Sequence, residues 1–147
     1  MDSIDKKIVE LLQENARIPL KSIAEQVFLS SPAVSARIEH LEKENIIRKY
    51  EAKVSSNAIG LNITAFINLD IQPSQKEEFY PFIEGCPNVI ECNCVTGDFS
   101  MLIKVAFKDT VELDKFIDRL QRFGRTCTQI VFSTPVENRG INIAKVI

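Results

Sequence analysis

Two stretches of this chain carry side chains whose types and spacing suit recognition chemistry. The first is LSSPAVSARIEHLE, Leu29 to Glu42, where Ser30, Ser31, Ser35, Arg37 and His40 supply hydroxyls, a guanidinium and an imidazole. Pro32 and Ala36 keep the same stretch free of bulk. Hydroxyls and guanidinium groups bond phosphates and base edges, and small residues let a helix backbone come close to a duplex. The second is VTGDFSMLIKV followed later by RTCTQIVFS, where Gly97, Asp98, Phe99 and Ser100 mark a turn and Thr126 and Thr128 share one side of a strand. The bland readings are a wet amphipathic helix for the first and a plain hairpin turn with ordinary strand threonines for the second. Cys92 and Cys94, two apart, fall on one side of a strand, a spacing that could offer two thiolates to a metal. No second cysteine pair and no neighbouring His completes a ligand set, so all four cysteines read as reduced, small hydrophobic residues with no metal and no cofactor.

The elements that must position these residues follow from periodicity. Ile4, Ile8, Leu11 and Leu12 share a helical face behind Asp2 or Ser3 as cap, and Leu20, Ile23, Ala24 and Val27 repeat the spacing after Pro19. Ser30 or Ser31 before Pro32 starts a third helix with the stripe Val34, Ile38 and Leu41, and Asn45 suits the left-handed residue that ends it. IIRKYEAKV then reads as a strand or two-stranded wing bearing Arg48 and Lys49. From Ile63 the period becomes two, with Ile63, Ala65, Ile67, Leu69 and Ile71 on one side. A helix with Phe79, Phe82 and Ile83 inward follows, with Pro81 in its first turn or at a kink. A hairpin around Gly97 comes next, then a helix with Val111, Leu113, Phe116, Ile117 and Leu120 inward, and a last strand. The fold class is therefore α+β: an N-terminal winged helix-turn-helix over residues 1–50, a wing strand and linker over 51–62, and a ferredoxin-like βαββαβ domain over 63–147.

Composition bounds the function. A chain of 147 residues with 45% hydrophobic and 26% charged content is globular. Its 18 Lys plus Arg against 20 Asp plus Glu leave a formal charge of −2, which excludes bulk electrostatic attraction to nucleic acid or anionic lipid. Residues 1–60 hold nine basic and nine acidic side chains, so phosphate neutralisation per subunit is small and useful DNA affinity needs several subunits on one duplex. Arg17 and Lys21 are further candidates for backbone contact. No apolar run spans a bilayer and the first residues are amphipathic, which places the protein in the cytoplasm and off the membrane.

The ordered combination Asp5, Arg17, Ile23-Ala24, Leu29-Ser30, Val34, Arg37 and Leu41-Glu42, continued by the glycine hairpin at Gly97 and Thr126-x-Thr128, resembles the Lrp/AsnC, or feast/famine, transcription regulators over nearly the whole chain. The resemblance implies double-stranded DNA as partner, dimers assembling to octamers, and an amino acid or other small effector held between dimers near Gly97, Asp98, Phe99, Ser100, Thr126 and Thr128. It implies DNA contacts from Ser30, Ser31, Pro32, Ser35, Ala36, Arg37, His40, Arg48 and Lys49. Two positions depart from the pattern: Asn45 stands where the family commonly has Gly, and Ser100 where it commonly has Asp. A neutral Ser cannot ion-pair with an ammonium group, so amino-acid binding there is altered. An enzyme on the same scaffold, similar to haem-pathway decarboxylases that act on tetrapyrroles, and a small-molecule sensor without DNA binding are the competing functions. The sheet half contains neither a His nor a recognisable catalytic motif, which argues against the enzyme.

Overall fold

A computed structural model describes residues 1–147, and the chain divides into two compact units, residues 1–53 together with 135–147, and residues 54–134. In the first unit α1 (Ser3–Glu14), α2 (Leu20–Val27) and α3 (Ser31–Lys43) bury Ile8, Val9, Leu11, Ile23, Ala24, Val27, Val34 and Leu41 in one core. Each start has a local cause. Asp2 caps α1 by accepting from the Asp5 amide while Asp5 accepts from the Asp2 amide, a reciprocal capping box. Pro19 stands at the N-cap of α2, and Ser30 caps α3 ahead of Pro32. The tight turn between α2 and α3 is made by Phe28, which takes a left-handed conformation at φ 55° with its ring 94% exposed. Asn45 ends α3 in the same conformation, as its side chain allows.

The wing does not form. Between Glu44 and Asn62 the only regular element is a single 3-10 turn, Asn57–Ile59. A lone extended segment has no ladder to join, and this one is held back against the helices: Ile47 packs on their core, and the Tyr50 hydroxyl donates to Glu42 on α3 at 2.7 Å. The helical unit also reclaims the end of the chain. Residues 135–147, assigned from sequence to the ferredoxin-like domain, belong with α1–α3, and the short α6 (Ile143–Val146) buries Ile143 in their core. Periodicity gave no sign of this because only one residue of that segment is buried.

The second unit has the expected strand, helix, strand, strand, helix, strand order: β1 (Ile63–Ile71), α4 (Lys76–Glu84), β2 (Val89–Cys94), β3 (Met101–Phe107), α5 (Thr110–Gln121) and β4 (Gly124–Ile130). The antiparallel sheet runs β2-β3-β1-β4, which is the ferredoxin-like arrangement. Ala65, Ile67 and Leu69 on β1 are fully buried and lie beside Val105, Ile103 and Met101 of β3. Phe79, Ile83, Leu113, Phe116, Leu120 and Phe123 cover this face. The Phe79 and Phe123 rings meet edge to face at 5.4 Å, the geometry their quadrupoles favour. Val111 is not part of the core but 62% exposed, because it stands two positions past the Asp109 cap, on the outer side of the first turn. Pro81 lies inside α4 rather than in its first turn, since a preceding 3-10 turn at Pro73–Gln75 sets where the α-helix begins.

Candidate nucleic-acid interface and effector pocket

Val34 and Leu41 anchor α3 from beneath, at 0% and 1% exposure. Pro32, Ala36, Glu39 and His40, at spacings of four, three and one, stand exposed on one outer face, with Ser31 and Ser35 half-buried beside them. The Ser30 hydroxyl accepts from the Ala33 amide at 3.4 Å, so its role here is the cap, and Ser35 reaches toward Glu39 at 3.5 Å. The outer face of α3 therefore carries two small residues, Pro32 and Ala36, beside a carboxylate and an imidazole.

Arg37 differs from the expectation of a free guanidinium. Its Nη1 donates to Asp2 Oδ2 at 2.7 Å and Asp5 Oδ1 at 2.6 Å, which binds α3 to the start of α1. The Asp5 side chain is only 11% exposed. Hydrogen bonds from the Asp5 amide and then from Arg37 hold the Asp2 carboxyl below the usual carboxylate range. Two elements of the sequence resemblance, Asp5 and Arg37, are thus one contact in space. Of the segment after α3, Arg48 is exposed with no ion-pair partner, Lys49 pairs with Glu51 at 3.1 Å, and Lys53 pairs with Glu137 at 2.7 Å. Lys6, Arg17, Lys21 and Lys43 also stand without ion-pair partners. Burial and the adjacent Glu42 push the Tyr50 phenol up to about 12, so it remains a hydrogen-bond donor.

In the second unit, the turn after β2 brings Phe99 and Ser100 beside the end of β1. Ser100 Oγ accepts from the Ile71 amide at 3.0 Å and lies 3.3 Å from the Leu69 carbonyl, to which it donates. Its own amide donates to that carbonyl at 3.1 Å. The hydroxyl in the position of the family's Asp is thus engaged by β1 backbone. Thr126 sits opposite Leu69 on the other edge of β1, and Thr128 is opposite Ile67, further along. Ser100 and Thr126 therefore flank one β1 residue, while Gly97, at φ 108°, and Asp98 stay exposed in the turn. Arg125 joins this group although the sequence reading passed over it. Its guanidinium lies 4.6 Å from the Phe99 ring centre and 4.0 Å from Asp70 Oδ2. The signal was present as a basic residue next to Thr126, but only the strand register reveals that it meets Phe99.

A family model for the AsnC-type helix-turn-helix domain matches residues 1–42, and one for the Lrp/AsnC ligand binding domain matches residues 64–141. The chain belongs to the Lrp/AsnC family. Its relatives include the HTH-type transcriptional regulator FL11 of Pyrococcus horikoshii, 30% identical over 97% of both chains. The HTH-type transcriptional regulator LrpA of Bacillus subtilis is 32% identical over 89% of this chain and 97% of its own. Among solved structures, B. subtilis LrpC superposes with a TM-score of 0.88 at 25% identity, covering 94% of this chain and 98% of its own. The transcriptional regulator NMB0573 of Neisseria meningitidis, in complex with L-Met, superposes at 0.91 with 26% identity over 99% of both. This Lrp/AsnC protein is accordingly a DNA-binding transcriptional regulator with an N-terminal helix-turn-helix and a C-terminal ligand-binding unit. No helix is long and apolar enough to cross a membrane.

Proposed function

We propose that this regulator reads DNA through α3, with Ser31, Pro32, Ser35, Ala36 and His40 toward the base edges of a major groove and Arg48 and Lys49 toward phosphate. The observation that carries the reading is the outer face of α3, where Pro32, Ala36 and His40 stand exposed, with Ser31 and Ser35 half-buried beside them, over a firmly buried inner stripe. Arg37 acts in this reading by fixing α3 against α1 rather than by touching a base. Ser30 supports it by capping.

The second unit assembles copies of the chain and senses an effector. The sheet face turned away from the helices carries Phe66, Asn68, Leu102, Lys104, Cys127 and Gln129, and a second copy's sheet covers it in the dimer. Dimers then build toward an octamer, which supplies the several weakly basic reading heads that binding requires. The effector is an amino acid seated by Phe99, Ser100, Arg125 and Thr126, with Gly97, Asp98 and Thr128 around them. Arg125 supplies the charge for its carboxylate. The L-Met complex of the Neisseria relative supports the ligand class.

Selection of genomic fragments by the purified protein at near-physiological salt, with and without mixed amino acids, tests the whole reading. Discrete sites built from half-sites about one helical turn apart are expected, with an amino-acid-dependent change in occupancy. Uniform weak recovery would refute sequence reading. Identical recovery with and without amino acids, together with a flat calorimetric titration, would refute the effector.

A further inference from the structure

Two of the four cysteines pack as small hydrophobes, Cys86 in the sheet core and Cys92 against it, and two do not. Only Cys86 is buried, where its thiol donates to the Phe82 carbonyl; Cys92 is half-buried, and Cys94 and Cys127 are exposed. The reason is position, since β2 and β4 are the two edges of the sheet. Burial therefore accounts for Cys92, which packs against the core, but not for Cys94 two positions along β2.

A third sulfur lies with them. Met101 of β3 pairs directly with Cys94, and Cys92 pairs with Ile103, so all three sulfur-bearing side chains leave the sheet on its helix-covered side. Cys94 Sγ is 3.5 Å from Met101 Sδ, close to the separation of two sulfurs sharing one ion with metal–sulfur bonds of about 2.3 Å. Met101 is 1% exposed, so its thioether is held in place before any ligand arrives. Tyr80 of α4 places its hydroxyl 3.7 Å from Cys94 Sγ, where it can donate to a thiolate.

We propose that Cys92, Cys94 and Met101 form a three-sulfur site for a soft monovalent ion of the copper(I) class. Thiolate and thioether donors select such ions, whereas zinc takes four nitrogen, sulfur or carboxylate ligands in a structural site and finds only two thiolates here. A disulfide between Cys92 and Cys94 would leave Met101 without a part. Binding exchanges the two thiol protons for the ion, with no change of oxidation state. The site closes the strand ends that lead into the Gly97–Ser100 turn, whose base is fastened by the Val95 amide donating to the Ser100 carbonyl at 2.9 Å. An ion there stiffens the hairpin from which the effector pocket is built.

The test is anaerobic titration of the reduced full-length protein with copper(I) against a chromophoric copper(I) chelator. One ion per chain is expected to be withdrawn from the chelator, and Cys94→Ser, at an exposed position, is expected to abolish this. Met101→Leu, which conserves volume, should fold and weaken binding by at least about tenfold, the loss that even an outer partner of a metal site causes. Failure of the wild type to compete, or equal uptake by Cys94→Ser, would overturn the assignment. Zinc(II) held by the same cysteines against an equivalent zinc chelator would overturn the choice of a soft ion.

Discussion

Leu41→Ala is the most informative perturbation of the reading head, because Leu41 is 1% exposed at the centre of the helical core and closes α3 through its carbonyl, which accepts from the Ile46 and Ile47 amides at 2.9 and 3.1 Å. Truncating a leucine at such a site costs about 2–5 kcal/mol, the transfer term plus the cavity it leaves. A unit of about 65 residues has on the order of 3–10 kcal/mol of stability in total, so the loss is a large fraction of it. At about 4–8 °C per kcal/mol for a unit of this size, its transition should fall by about 10 °C or more. The sheet core shares no residue with the helical core and should keep its own transition. The chain contains no Trp and two Tyr, one in each unit, which makes the separation visible. Tyr50 reports the end of α3 through its bond to Glu42, and Tyr80 reports α4. Tyrosine fluorescence melts of Leu41→Ala, repeated in Tyr50→Phe and Tyr80→Phe backgrounds, should show the Tyr50 transition moving alone, and DNA binding should disappear between the two transitions. A loss under about 1 kcal/mol would refute the packing argument, and equal movement of both signals would refute the separateness of the cores.

Three further outcomes follow from the same geometry. Arg37→Ala should lower the melting temperature of the helical unit and weaken all DNA sites in parallel, as measured by binding selection; a changed base preference would instead show that Arg37 reads a base. Asp2, whose folded pKa is depressed, contributes stability above its unfolded value near 3.8, and that contribution is lost as the pH falls through the lower folded value. Acid titration should therefore show wild type and Asp2→Asn differing at pH 5 and converging below about pH 3.8, and a constant gap down to pH 2 would contradict this. Gly124→Ala puts a methyl group inside the van der Waals shell of the Asp70 carbonyl, at a residue whose φ is +157°. Backbone strain alone costs about 1–3 kcal/mol there, so the Tyr80-reported transition should fall and any amino-acid response with it; an unaltered melt would refute the β1–β4 register at that end.

The regular parts of this fold were legible because each repeats a period over enough residues to be read. The alternation from Ile63 to Ile71 maps onto fully buried Ala65, Ile67 and Leu69, and the Ser30–Pro32 signal marks the start of α3. What stayed hidden depends on contacts between distant residues. Nothing local to IIRKYEAKV tells that it lacks a strand partner in its own chain. Arg37 looks solvated in a helical pattern, and the two carboxylates that hold it are more than thirty residues away. Ser100 reads as a lost charge, whereas the structure reveals a hydroxyl bridging two groups of β1 backbone. Arg125 became a pocket candidate only when the register set it beside Phe99. Cysteine exposure likewise depends on which strands end up at the edges, which a linear pattern does not encode.

The return of residues 135–147 to the helices bears on how the protein is made. A ribosome delivers α1, α2 and α3 first, yet the side chain that completes their core, Ile143, is translated only after the whole sheet unit has emerged. A growing chain therefore holds an unfinished reading head while the sheet unit is made, with a hydrophobic site on α1 waiting for α6. A nonsense mutation after Thr134 leaves helices that lack this core residue.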